Sequence, residues 1–330
     1  MKELIRKILV FSMPILLLTY PLDVFISKNL KKSNSFYGEY EVWNDIYNSN
    51  IDANILVYGS SRAWVDINPQ IIEDTFNLNV YNLGLDGHNF WLQYLRHLEF
   101  IKYNPSPKHI ILAVDFNSLQ KRDDLYLYQQ FLPYMLWNSN IRNYTHSYKA
   151  FNYFDYQLPL LRYVGKSSIL KKAFKNARSN SIISPYRNKG YRGIKKTWTN
   201  DFELAKTKMS NYKIKIDTAS VNLFDKFLLE CKNNKIEVSL VYTPEHIVGQ
   251  RFVTNRDQVI TLFKKFAKKY NLQFLDYSKD PMCLDTSFFY NTMHLNKTGS
   301  ELFTKKLVQD LSLTISIKKH QQNKSITPTN

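Results

Sequence analysis

Four short stretches of this 330-residue chain carry groups that could act together on an ester. The first is Gly59-Ser60-Ser61-Arg62, directly after the apolar run Asn54–Tyr58. A serine hydroxyl attacks a carbonyl only when a neighbouring base takes its proton, and histidine is the usual base. Of seven histidines, His97 and His109 read as structural, and His146 and His320 lie away from the strand ends. His88, His246 and His294 fall on loops, and His294 has the best setting, in Tyr290-Asn291-Thr292-Met293-His294 just ahead of an N-capped helix. An attacked acyl carbon develops an oxyanion that needs preorganised donors. The serine N–H, a glycine N–H such as that of Gly87, and the amide of Asn117 would serve. Taken singly, each residue also has a plain reading as a turn serine, a turn glycine or a helix cap.

These residues matter only if the fold gathers them at one edge. Asn54–Gly59, Leu78–Gly84, His109–Asp115, Glu237–Pro244 and Leu272–Tyr277 read as strands with continuous apolar runs. Between them lie stretches with apolar residues at helical spacing, one opened by Asn68 as N-cap with Pro69 behind it. Buried strands alternating with amphipathic helices predict a parallel sheet covered on both faces. The expected fold is a three-layer α/β sandwich on a mainly parallel five-stranded sheet, flavodoxin-like in order. Ligands of such sheets bind at the carboxyl ends of the strands. That edge receives Ser60 and Ser61, Gly87, Asn117, the Thr243–His246 stretch and the segment holding His294.

In the order of its blocks the chain resembles the SGNH (GDSL-like) hydrolase superfamily. Gly59-Ser60-Ser61 resembles the Gly-Asp-Ser block, which implies that Ser61, in the third position, is the nucleophile. Asn82–Gly87 resembles the second block, whose last glycine, here Gly87, supplies an oxyanion N–H. Ile111–Leu119 is similar to the third block, with Asn117 matching its asparagine, Asp115 standing where glycine is expected and Ser118 where aspartate is. Asn291–Gly299 resembles the final Asp-x-x-His block, with His294 as base and Asn291 in place of the orienting aspartate. In serine-protease triads that exchange costs about four orders of magnitude in turnover. Asn291 serving a slower pair, Asp285 filling the role, and an impaired site all stay open. The resemblance covers about 52–118 and 235–312, and it implies no cofactor.

Composition bounds the partners. The chain has a net charge of +17, and Ser118–Lys215 alone holds 19 Lys and Arg against 5 Asp and Glu. Such a field attracts anions. The aromatic and basic insertion at 119–219 could stack on sugars and hold an anionic polymer, or it could form a small helical core with a solvated surface. Cys231 and Cys283 show no metal-type spacing and fix no disulfide. Ile8–Ile26 is an apolar run with one charge, Asp23, close to the length a bilayer requires. The expected organisation is a transmembrane anchor over 1–27, a linker over 28–51, the α/β domain over 52–312 and a polar, disordered tail over 313–330. An anchor of this kind places the domain outside the cytoplasm. With that anchor, the resemblance narrows to envelope proteins of the D-alanyl transfer and alginate acetylation type, and it implies transfer or hydrolysis of O-acyl groups on polysaccharide. A membrane-bound O-acyltransferase is the implied partner. A non-catalytic binding or scaffold subunit is the alternative, and nucleic acid is not expected.

Overall fold

A computed structural model describes residues 2–179, 184–199 and 201–324. Its helices are α1 (Lys2–Lys31), α2 (Ser35–Tyr47), α3 (Ser61–Asp66), α4 (Pro69–Phe76), α5 (Phe90–Tyr103) and α6 (Ser139–Thr145), then α7 (Ser167–Arg178), α8 (Asp201–Lys208), α9 (Thr218–Asn233), α10 (Ile247–Phe252), α11 (Arg256–Tyr270) and α12 (Lys297–Lys324). The strands are β1 (Ile55–Tyr58), β2 (Val80–Asn82), β3 (His109–Val114), β4 (Glu237–Tyr242) and β5 (Gln273–Asp276). The chain forms two compact units. One comprises 1–50, 95–103 and 122–187, and the other 51–94, 104–121 and 188–330.

The second unit is the α/β domain. Its sheet has the order β2-β1-β3-β4-β5, and every pairing is parallel. Because successive side chains of a strand point to opposite faces, Ile55 and Val57 join Ile111, Val241, Phe303 and Leu307 in one apolar cluster. The alternate residues Leu56 and Leu112 are equally buried, and from β1's alternate set the Tyr58 ring packs on Phe227 of α9. Two buried faces explain why these strands read as continuous apolar runs. The order reverses at β1, whose neighbours are β2 and β3, and such a switch point opens a crevice at the carboxyl ends. Asn68 caps α4 as expected, accepting from the Gln70 N–H.

Gly59 ends β1 at φ 147°, a backbone conformation that disfavours side chains. A Cβ there would lie 2.7 Å from the Ala113 carbonyl oxygen and 2.8 Å from the Ala63 Cβ. Gly59→Ala is therefore expected to destabilise the domain by on the order of 3 kcal/mol, from strain and overpacking together. The urea unfolding midpoint measures it.

The other unit corrects the expected organisation at its N-terminal end. Among the described residues no helix is long and apolar enough to cross a membrane. The expected anchor is part of α1, whose last third buries one face, with Asp23, Ile26, Ser27 and Leu30 inside and Leu22, Val24 and Phe25 exposed. Asp23 is buried, 2.6 Å from Arg162 and accepting from the Leu160 N–H, and Ser27 bonds the Tyr163 hydroxyl. Moving Asp23 into lipid would leave Arg162 an uncompensated buried charge. Further forward, Leu17 and Leu18 are 68% and 70% exposed. The expected linker is not a linker either, since α2 buries Tyr40, Val42, Trp43 and Ile46. These meet insertion residues, with Trp43 against Phe131 and Tyr134. Several insertion aromatics are thus spent on a core, including Tyr156 and Tyr163. The insertion is also divided, because residues from 188 onward belong to the α/β unit. At the other end α12 continues to Lys324, taking in residues expected as tail, while 325–330 lie outside the described residues. Cys231 and Cys283 are buried free thiols.

Candidate active site

Ser61 is the first residue of α3, and Ser60 caps that helix by accepting from the Arg62 N–H. The leading N–H groups of a helix lack intrahelical acceptors, so the Ser61 N–H is available to a ligand. The Ser61 hydroxyl lies 2.8 Å from His294 Nε2. This contact joins residues 233 positions apart.

Which histidine nitrogen carries the proton follows from Asn291. Its Oδ1 accepts from the backbone N–H groups of Met293, at 3.0 Å, and His294, at 2.9 Å. Two N–H donors require the amide oxygen, not the nitrogen, at that position. The same oxygen lies 3.0 Å from His294 Nδ1, so Nδ1 bears hydrogen and Nε2 presents its lone pair to Ser61. Asn291 thereby orients the ring as an aspartate would, without the charge that would stabilise an imidazolium. The Tyr290 ring lies almost parallel on the imidazole at 5.4 Å. Burial, and after it the Arg62 charge, lower the His294 pKa to about 3.

Asp285 does not take the orienting place. It caps a short 3₁₀ turn, Thr286–Phe288, by accepting from the Ser287 N–H, and its charge acts on His246. His246 itself caps α10 and packs on Trp198. Gly87 sits in the turn after β2 at φ 68°. Asn117 follows β3, and its side-chain amide has no hydrogen-bond partner among the described residues, which leaves it available as a donor. β2 and β3 flank β1 in the sheet, so both loops leave from strands adjoining the one that ends at Ser61. The loop after β2 is tied to this turn directly, by the Leu85 N–H to the Gly59 carbonyl at 2.9 Å.

Three partners of the site were not read from the sequence. Ser60 donates to the buried Asp115 carboxylate at 2.6 Å, and the other Asp115 oxygen accepts from the Asn117 N–H at 2.8 Å. One carboxylate therefore joins the serine turn to the Asn117 loop. That accounts for one departure noted above, since the acid at position 115 pairs with the Ser60 hydroxyl. Asp66, also on α3, accepts from the Leu295 N–H at 3.0 Å and so ties α3 to the residue after His294. Asp66 is fully buried, and burial raises its pKa well above the carboxylate range.

The third partner is Glu245, in the stretch after β4. Arg62, itself buried, donates to Glu245 at 3.0 Å and to Thr243 Oγ1 at 2.9 Å, and Arg256 reaches the other Glu245 oxygen at 2.5 Å. An arginine beside the serine and a glutamate at the edge of β4 were legible as charges but not as a pair. Arg62→Met leaves Glu245 with one cation in place of two. Since breaking a buried pair costs about 3–5 kcal/mol, a loss near the lower end is expected in chemical denaturation.

No protein-family profile and no curated protein matches the chain. Among solved structures, the chain is similar to a Streptococcus pneumoniae protein provisionally described as a platelet activating factor, at 12% identity and TM-score 0.41, over 83% of this chain and 90% of that one. An acetyl xylan esterase matches at 10% identity and TM-score 0.40, over 79% of this chain and 99% of that one. A GDSL-like lipase from Bacteroides thetaiotaomicron matches at 13% and 0.36, over 84% and 100%. At such identities no residue role passes from them to this chain.

Proposed function

We propose that this protein is a serine-dependent acyl-ester enzyme that hydrolyses or transfers O-acyl groups, acetyl foremost, on cell-envelope polysaccharide. The observation that carries the reading is the Ser61 Oγ to His294 Nε2 contact at 2.8 Å, with Asn291 fixing the tautomer that makes Nε2 the acceptor. In the reaction, His294 Nε2 takes the Ser61 proton as Oγ attacks the ester carbonyl. The N–H groups of Ser61 and Gly87 and the Asn117 amide receive the oxyanion. The alcohol leaves with the proton from Nε2, giving acyl-Ser61. Water or a sugar hydroxyl then gives its proton to Nε2 and attacks the acyl carbon, which restores the serine. The same residues serve hydrolysis and transfer, and the acceptor decides between them.

A location outside the cytoplasm and a membrane-bound O-acyltransferase partner belong to the same proposal. What supports them is the exposed apolar surface that α1 presents at Leu17 and Leu18, ahead of the buried Asp23. The test is fluorophosphonate labelling of the full chain, with the labelled peptide identified by mass spectrometry. Adduct on Ser61 supports the reading. A folded protein that neither labels nor turns over aryl or glycan acetates would favour a second reading, a binding subunit, to which the uncharged Asn291 lends weight.

A further inference from the structure

The segment after β2 carries Gly87, and its first half is bound to the serine turn and to α3. The Leu83 N–H donates to the Val57 carbonyl at 2.7 Å, and the Leu85 N–H to the Gly59 carbonyl at 2.9 Å. The buried Asn82 amide donates to the Ala63 carbonyl at 2.8 Å and to the Ile67 carbonyl at 2.9 Å. Its oxygen accepts from the Gly84 N–H at 2.9 Å, so both sides of the amide are used. Gly84 lies so near α3 that a Cβ there would fall 2.6 Å from the Trp64 backbone nitrogen. Beyond Gly87, the Phe90 N–H donates to the Ser118 carbonyl at 2.9 Å.

Between these ends, the residues from Leu85 to His88 form a turn. Gly87, its third residue, has φ 68° while Asp86 has negative φ, the type II combination, which is why glycine suits the position. The central peptide of the turn carries the Gly87 N–H, which has no partner among the described residues. The bond that closes the turn, from the His88 N–H to the Leu85 carbonyl, is 3.4 Å long, outside the usual range for such bonds. A side chain supplies a firmer tie. The buried Trp64 indole donates from Nε1 to Asp86 Oδ1 at 3.1 Å. An ionised acceptor makes this bond stronger than one between neutral groups.

Trp64 stands three residues beyond Ser61 on α3. The Leu85 and Asp86 ties therefore reach residues 59 and 64, on either side of the nucleophile in the chain. The helix that carries Ser61 thus also holds, through Asp86, the turn that carries the Gly87 N–H. An oxyanion donor works at about 2.7–3.1 Å from the developing charge, and a misplacement of about 1 Å can cost about 10²-fold in rate. We propose that Trp64 and Asp86 are the positioning residues of the oxyanion site. Their hydrogen bond holds the Gly87 N–H where negative charge forms as Ser61 attacks. In this role neither side chain takes a proton or binds the substrate. This inference rests on the acyl-serine reading above.

The test measures kcat and KM of the full chain on an aryl acetate, with inhibition by an aryl trifluoromethyl ketone, which adds to a serine as an oxyanion. Trp64→Phe keeps an aromatic ring and removes the indole N–H. It should lower kcat by about 10- to 100-fold, at or below the cost of losing an oxyanion donor outright. KM should stay within about twofold, because the lost stabilisation belongs to the transition state. Ketone affinity should fall by the same factor as kcat/KM. Asp86→Ala should match Trp64→Phe, and the two together should cost no more than either alone. Asp86→Asn keeps an oxygen for the indole and should hold kcat within about threefold of wild type. Trp43→Phe deletes another 3.1 Å indole bond, to Gln130 in the other unit, and should leave kcat as it is. With an active wild type, unchanged kcat in Trp64→Phe, a loss in KM alone, or an equal fall in Trp43→Phe would overturn the inference. So would Asp86→Asn no better than Asp86→Ala, and this pair decides alone should Trp64→Phe not fold. A wild type that neither turns over esters nor labels removes the acyl-serine reading itself, and the inference with it.

Discussion

Ser61→Ala is expected to lower kcat/KM on an aryl acetate by at least about 10³-fold and to abolish fluorophosphonate labelling, and His294→Ala is expected to do nearly as much. The two losses should not add, because the hydroxyl and the imidazole work through one proton transfer; removing either member of such a unit costs about as much as removing both. Ser60→Ala is the informative companion. It deletes a hydroxyl one residue away that donates to Asp115 and does not face the histidine. Retention of labelling in Ser60→Ala and its loss in Ser61→Ala would assign the nucleophile. The reverse pattern, with both variants folded, would overturn the assignment, and it would leave the 2.8 Å contact of Ser61 with His294 as a structural hydrogen bond only.

Asn291→Asp is expected to raise turnover, by tenfold or more and towards the roughly 10⁴ that separates aspartate from asparagine in serine-protease triads. The position is ready for a carboxylate. Two backbone N–H groups already point at the Asn291 oxygen and would hold the new charge, and His294 Nδ1 already faces it at 3.0 Å. What the wild type lacks is compensation for the imidazolium that forms as Ser61 attacks. Burial and the Arg62 charge both disfavour that cation and lower the His294 pKa to about 3. The direction of the pH effect follows. Only neutral histidine accepts the proton, so wild-type kcat/KM should stay level from about pH 8 down to about pH 4 and fall below that. A histidine with an unshifted pKa would lose activity below about pH 6.5. The Asn291→Asp carboxylate favours the imidazolium, so it should move the acid limb to higher pH while raising the plateau. A variant with lower turnover and an unmoved limb would show that Asn291 does not act through His294.

Much of the frame was legible in the chain because its signals are local. Apolar runs at Ile55–Tyr58, His109–Val114 and Glu237–Tyr242 alternate with helical periodicities, and this alternation alone implies parallel strands with crossover helices. Asn68 with Pro69 announced α4 through a cap that spans three residues. The candidate serine, glycine, asparagine and histidine could be placed on one edge because each follows a strand. The group facing His294 Nδ1 was not legible. Asn291 and Asp285 are both within ten residues, and only the turn that aims two N–H groups at the Asn291 oxygen separates them. Nor could the chain announce that Arg62 meets Glu245, 183 residues away, or that Ser60 meets Asp115. The same limit misled the reading of the N-terminus. Ile8–Ile26 has the composition of a membrane span, but Asp23 finds Arg162 at a separation of 139 residues, within a unit assembled from three separate segments. Composition and periodicity fix what a segment can bury. Which partner it buries against depends on closing long loops around a shared core, and that is decided only in the folded molecule.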